Sequence, residues 1–227
     1  MSIYLRLLTL LAVLAPLSIA SANADDPEWY HVEVIVFEQR ETSGRDAERW
    51  SADATDPVAA RVQPLAAATA QWEPFSALPR DQLRLRAHYD RLAASDEYQP
   101  LLHLAWRQHG LSAEDSIAVP IPNDWEPREI DLFSSFDDLA VVETPPLYGY
   151  LRVYRERFLH LVTDLRYRRP TSLDAERRYP YLEGAEPLFV MQDSRRMRSG
   201  ELHYLDHPVL GVLVRITPVE PDDDSGG

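Results

Sequence analysis

The chain is 227 residues long and carries 23 basic against 37 acidic residues, a formal net charge of −14, with no cysteine and no lysine. Without lysine there is no Schiff-base or P-loop chemistry; without cysteine there is no disulfide, no thiolate catalysis and no lipid-bearing N-terminal cysteine. An acidic chain of this kind also speaks against a nucleic-acid partner, because phosphate binding wants a basic domain.

The N-terminus, MSIYLRLLTLLAVLAPLSIASANADD, places Arg6 before an apolar stretch from Leu7 to Ala20, followed by the small-x-small site Ala22-Asn23-Ala24. This pattern predicts a secretory signal peptide over residues 1–24, cleaved after Ala24. Pro16 breaks the apolar stretch, which falls short of the roughly 20 residues a spanning helix needs. The expectation is therefore a periplasmic protein with no membrane insertion after cleavage. A single domain over 25–217 and an acidic tail over 218–227 would complete the chain.

Residues 29–39, WYHVEVIVFEQ, are dense in β-branched and aromatic types and predict a strand. Val32, Val34 and Val36 fall on one face, with His31, Glu33, Ile35 and Phe37 on the other, so the strand should be central and covered on both sides. Residues 40–78, rich in Ala, Asp, Pro and Thr, predict a long loop pinned by Trp50 and Trp72. LPRDQLRLRAHYDRLAASDEY reads as a helix with Pro79 in its first turn and Leu85, Tyr89 and Leu92 along one side. YQPLLHLAWRQHG alternates as a strand, and SIAVPI is a short one within the acidic, proline-punctuated stretch 111–144.

LYGYLRVYRERFLHLVTDLRYRR satisfies a helical template in part, but alternation explains more of it. A β-hairpin with its turn at Arg155–Arg157 follows. PLFVMQDSRRM and VLGVLVRITPV supply two further strands around a loop-rich 170–187 and a histidine-containing linker. Together these predict an α+β fold: a largely antiparallel sheet of about six strands, one or two covering helices and long loops.

Chemistry-bearing motifs are sparse. His203 and His207 are four apart, which in extended chain separates them by roughly 13 Å, too far to share an ion. Pro208 disfavours helical geometry there, so Asp206 and His207 are expected to cap a turn before the last strand. No G-x-S-x-G elbow and no Gly-rich phosphate loop is present. Glu33 and Glu201 are the least surface-like carboxylates, each expected to answer an arginine in a buried or half-buried ion pair. No cofactor, metal or catalytic residue is assigned.

A binding surface remains. Residues 151–200 hold 11 Arg against 7 acids, whereas the rest of the chain holds 12 against 30. That basic stretch either faces a carboxylate-bearing ligand or pairs with the acidic 111–144 region. Tyr148, Tyr150 and Tyr154 on one strand of the hairpin, with Tyr167 on the other, offer aromatic surface. Arg195, Arg196 and Arg198 lie at the end of a neighbouring strand, followed by Tyr204. Aromatic planes stack on sugar faces and guanidinium forks grip carboxylates, both of which peptidoglycan offers. The competing reading is that the tyrosines pack against loops and the arginines serve internal salt bridges.

WYHVEVIVFEQ, LLHLAWRQ, FLHLVTDL and above all RRMRSGELHYLDHPVLGVLVRITP resemble, in order, the CsiV-type family of bacterial cell-wall proteins. The resemblance implies an exported, non-enzymatic protein that binds peptidoglycan. It further implies support of a class A penicillin-binding protein through that synthase's outer-membrane lipoprotein activator. The Arg195–Tyr204 block, the longest match, becomes the candidate ligand surface. A protein-interaction module without glycan affinity, and a wall hydrolase using Glu33 or Glu201, stay open as alternatives.

Overall fold

A computed structural model describes residues 28–40, 56–67, 73–126, 145–169 and 188–220. The expected signal peptide, Trp50, Trp72, the loop 170–187 and residues 221–227 of the acidic tail lie outside the described residues.

Nine strands and one α-helix are present among the described residues: β1 (Trp29–Gln39), β2 (Ser76–Ala77), α1 (Arg86–Ala93), β3 (Tyr98–His109), β4 (Ala118–Ile121), β5 (Leu147–Arg155), β6 (Leu159–Tyr167), β7 (Phe189–Met197), β8 (Leu202–Asp206) and β9 (Leu210–Val219). They form two antiparallel sheets, a first of order β2-β3-β1-β9-β8 and a second of order β4-β5-β6-β7. The expected α+β fold on one sheet with covering helices is therefore corrected to a mostly β fold on two sheets. Most of the strands, though neither β2 nor β8, were legible one by one, but nothing in their alternation tells which pair with which. The final strand, β9, joins β1 rather than the β5–β6 hairpin.

The two sheets share one core. Val32, Val34 and Val36 of β1, Trp106 of β3 and Val212, Val214 and Ile216 of β9 meet Leu151 and Val153 of β5, Leu161 and Leu165 of β6 and Met191 of β7. Each such fully buried aliphatic side chain contributes roughly 1.5–3 kcal/mol relative to exposure. Polar ties join the sheets as well. Gln108 on β3 accepts from Trp106 Nε1 at 2.9 Å and donates to the Val153 carbonyl at 3.2 Å. Further along, Tyr167 on β6 donates to Glu38 of β1 at 3.0 Å.

The other face of the first sheet carries Ile35 and Phe37, covered by Leu85, Tyr89 and Leu92 of the helical segment. β1 is thus central and buried on both sides, as its alternation implies. The expected single helix over 78–98 is instead a 3-10 turn at Arg80–Gln82 followed by the eight-residue α1, with Leu83 in extended conformation between them. The break has a cause. Glu33, 1 % exposed, accepts from the backbone amides of Arg84 and Leu85, both at 2.8 Å. Leu85 is the N-cap of α1 and Arg84 precedes it, and no side chain of the helix itself caps this end.

Candidate functional site

The β5–β6 hairpin forms with Tyr154 opposite His160 and a turn at residues 156–158. Its register fixes two faces. Leu151, Val153, Leu161 and Leu165 point into the core, so Tyr148, Tyr150, Arg152 and Tyr154 point away from it, on the outer face of the second sheet. Across the β6–β7 pair, His160 lies opposite Arg196 and Leu161 opposite Arg195. Consecutive residues of a strand alternate, so Arg196 joins the outer face while Arg195 points toward the core side of an exposed edge strand.

The outer face has two unlike halves. In the first, Tyr148 and Tyr150 are 5 % and 4 % exposed, beneath Trp125, whose ring lies 5.4 and 5.1 Å from theirs. Burial raises both phenol pKa values, with Asp56 adding to the effect on Tyr148 and with Asp164 and Glu126 adding to it on Tyr150. In the second half Tyr154 stacks on His160 at 4.6 Å with the planes 2° apart. Arg152 lies over the Tyr154 ring at 5.7 Å. Phe158 carries two guanidinium groups, Arg196 at 4.8 Å and Arg157 at 5.5 Å.

Arg152 also donates to Ser116 Oγ at 3.0 Å and lines a groove of about 370 Å³ floored by Tyr150, Val162 and Asp164 and walled by residues 58–61 and by Ala113, Glu114 and Ser116. Asp164 is already occupied by Arg166 and by Gln192 Nε2 at 2.9 Å. Asp115, in the acidic stretch, pairs with Arg61 at 3.2 Å rather than with the basic region. Among the described residues no carboxylate pairs with Arg152, Arg157 or Arg196.

The expected site residues do not form one cluster. Tyr154 and Arg196 come together on the outer face; Tyr148 and Tyr150 share that face but are covered; Arg195 points to its other side. Arg198 follows β7 in the turn, 3.7 Å from Glu201. Tyr204, 41 % exposed, lies on the outer face of the first sheet against Phe37, on the far side of the sandwich from the tyrosines of β5. Its hydroxyl donates to Asp206 at 2.6 Å and accepts from Gln39 at 3.2 Å, which ties it into the β1–β8 framework. His207 caps its turn through Nδ1, accepting from the amides of Val209 and Leu210 at 3.2 Å, while Asp206 is used by Tyr204 instead.

Glu33 does not answer an arginine. Burial alone would raise its pKa, but donation from His103 at 2.8 Å, the neighbouring His31 at 3.5 Å and the two backbone amides leading into α1 outweigh it and hold the carboxyl down at about 2. Glu201 does meet Arg198, yet as a half-exposed pair with His203 at 3.5 Å on its other oxygen. Arg152, Arg157, Phe158 and His160 were missed as site residues. The signal that finds them is the hairpin register, which sets Tyr154 against His160 once the turn is centred on Arg157.

A family model described as "Peptidoglycan-binding protein, CsiV" matches residues 4–219. The chain belongs to the CsiV family. No curated protein and no solved structure matches it. In this CsiV-family chain the matched region spans both sheets and every strand described above, so the family assignment covers the whole sandwich together with the arginine-rich face.

Proposed function

We propose that this CsiV-family protein is an exported, non-catalytic peptidoglycan-binding factor of the periplasm. In this reading it supports wall synthesis by a class A penicillin-binding protein through that enzyme's outer-membrane lipoprotein activator. The half of the second sheet's outer face built by Arg152, Tyr154, Arg157, Phe158, His160 and Arg196 holds the polymer, with Arg195 and Arg198 at its rim. The observation that carries this reading is a set of guanidinium groups without carboxylate partners among the described residues, in a chain of net charge −14. A strongly acidic protein that keeps such cations uncompensated on one face has a place to meet an anionic polymer without binding polyanions at large.

Contacts of exposed arginines are worth about 0–1 kcal/mol each and are screened by salt. Binding is therefore weak and salt-sensitive. Purified protein mixed with isolated sacculi should sediment with them at low ionic strength and return to the supernatant as salt rises. Protein that stays soluble at every salt concentration, while still capturing the lipoprotein activator, would replace this reading with that of a protein-interaction module.

A further inference from the structure

We infer that what this face holds is the free carboxylates of the polymer's peptide stems, not the faces of its sugar rings; the inference rests on the function proposed above. Stacking on a sugar needs an open aromatic face. Tyr148 and Tyr150 are buried under Trp125, Tyr154 is stacked on His160 and overlain by Arg152, and Phe158 lies beneath both Arg157 and Arg196. Each of these four rings is already engaged by the chain itself.

What stays without a carboxylate is the N–H edge of the guanidinium groups, of which Arg152 spends one donor on Ser116 Oγ. A ring under a guanidinium orients it without neutralising its charge, and leaves its in-plane donors directed outward for a forked acceptor. A carboxylate salt bridge would have consumed both the charge and the donors. The face is therefore built to place arginines and keep them available.

Spacing adds a second constraint. Arg152 is on β5 and Arg196 on β7, with β6 between them, and Arg196 is two residues beyond the position in line with Arg152. Strand spacing and rise place their Cα atoms about 12 Å apart. Each guanidinium is held over its own ring, Arg152 at Tyr154 and Arg196 at Phe158, so two carboxylates, as neighbouring stems of a polymer offer, can meet them separately. Weak contacts repeated along such a polymer add through effective concentration.

The test uses sacculi whose carboxylates have been converted to neutral amides by carbodiimide coupling to methylamine, which leaves the glycan intact. Wild-type protein should sediment with native sacculi at low salt and bind the amidated sacculi about tenfold more weakly. Equal binding to both would overturn the inference while leaving peptidoglycan binding in place. Failure to sediment even with native sacculi would overturn the proposed function, and the inference with it. As a second arm, R152Q/R157Q/R196Q should lose sedimentation with native sacculi, whereas R80Q/R86Q/R91Q, which removes equal charge from the face bearing α1, should keep it. Equal loss in both variants would mean that only overall charge matters, and would also overturn the inference.

Discussion

At the scale of single residues, a carboxylate placed at the centre of β1 has to be supplied with donors, and Glu33 receives the two backbone amides leading into α1 and His103, with His31 3.5 Å away. Its pKa of about 2 lies below the ordinary value of 4.5, so the interaction stabilises the fold fully above that ordinary value. The contribution, on the order of 3 kcal/mol, is lost as pH falls from about 4.5 toward 2. His31 adds to acid sensitivity with the same sign. Burial first of all, then the charges of Arg84 and Arg107, holds its pKa below 6.5, so it folds neutral and opposes folding once acid forces it to charge. Urea unfolding from pH 7 to pH 3 should show this decline, and Glu33→Gln should be less stable at pH 7 with a flatter acid limb. A variant as stable as wild type at pH 7, with the same acid profile, would mean that the carboxylate does not anchor α1.

Gly149 sits at φ +134°, and a Cβ there would lie 2.1 Å from the Asp164 carbonyl oxygen on the paired strand. Because the obstacle is backbone, it cannot swing aside. Gly149→Ala should cost at least about 2 kcal/mol, read as a drop in Tm of about 4–8 °C.

Strands and hairpins raise the question of what protects their edges. β7 closes one side of the second sheet, and an edge strand invites pairing with another chain. Asp193 and Arg195 occupy positions on the core-facing side of β7, opposite Thr163 and Leu161, yet both are exposed. Charges on the inward side of an edge strand oppose edge-to-edge assembly. Asp193 further ties up the edge by accepting from the Ser194 amide at 2.7 Å. The double variant D193V/R195V should associate at concentrations where wild type does not, measured by light scattering; an unchanged hydrodynamic size would contradict this role. Alternation made β1, β3, β7, β9 and the β5–β6 hairpin legible, because apolar burial on a pleated surface writes itself with period two. β8 was not legible: LHYLD buries only Leu205 fully and offers little apolar contrast. The split of the helical segment was hidden too, since its cause is Glu33, some fifty residues earlier in the chain.

On the scale of the whole molecule, the two sheets divide the candidate site residues in a way that no local pattern encodes. Tyr204 and Tyr154 share a residue type but face opposite ways across the sandwich, and Arg195 and Arg196 are adjacent in the chain yet point to opposite sides of one strand. The grouping of Arg196 with Tyr154 on one surface was legible, and the fold does place both on the outer face of the second sheet. Their context was not: rings expected to receive sugars instead engage the chain's own cations and imidazole. The most direct test follows the arginine side-chain Nε–Hε resonances while a soluble peptidoglycan fragment is added to the protein. Shifts should appear at Arg152, Arg157 and Arg196 and fade as salt is raised, while Arg80, Arg86 and Arg91 stay in place; shifts confined to the arginines of the α1 face, or none at all, would contradict the account.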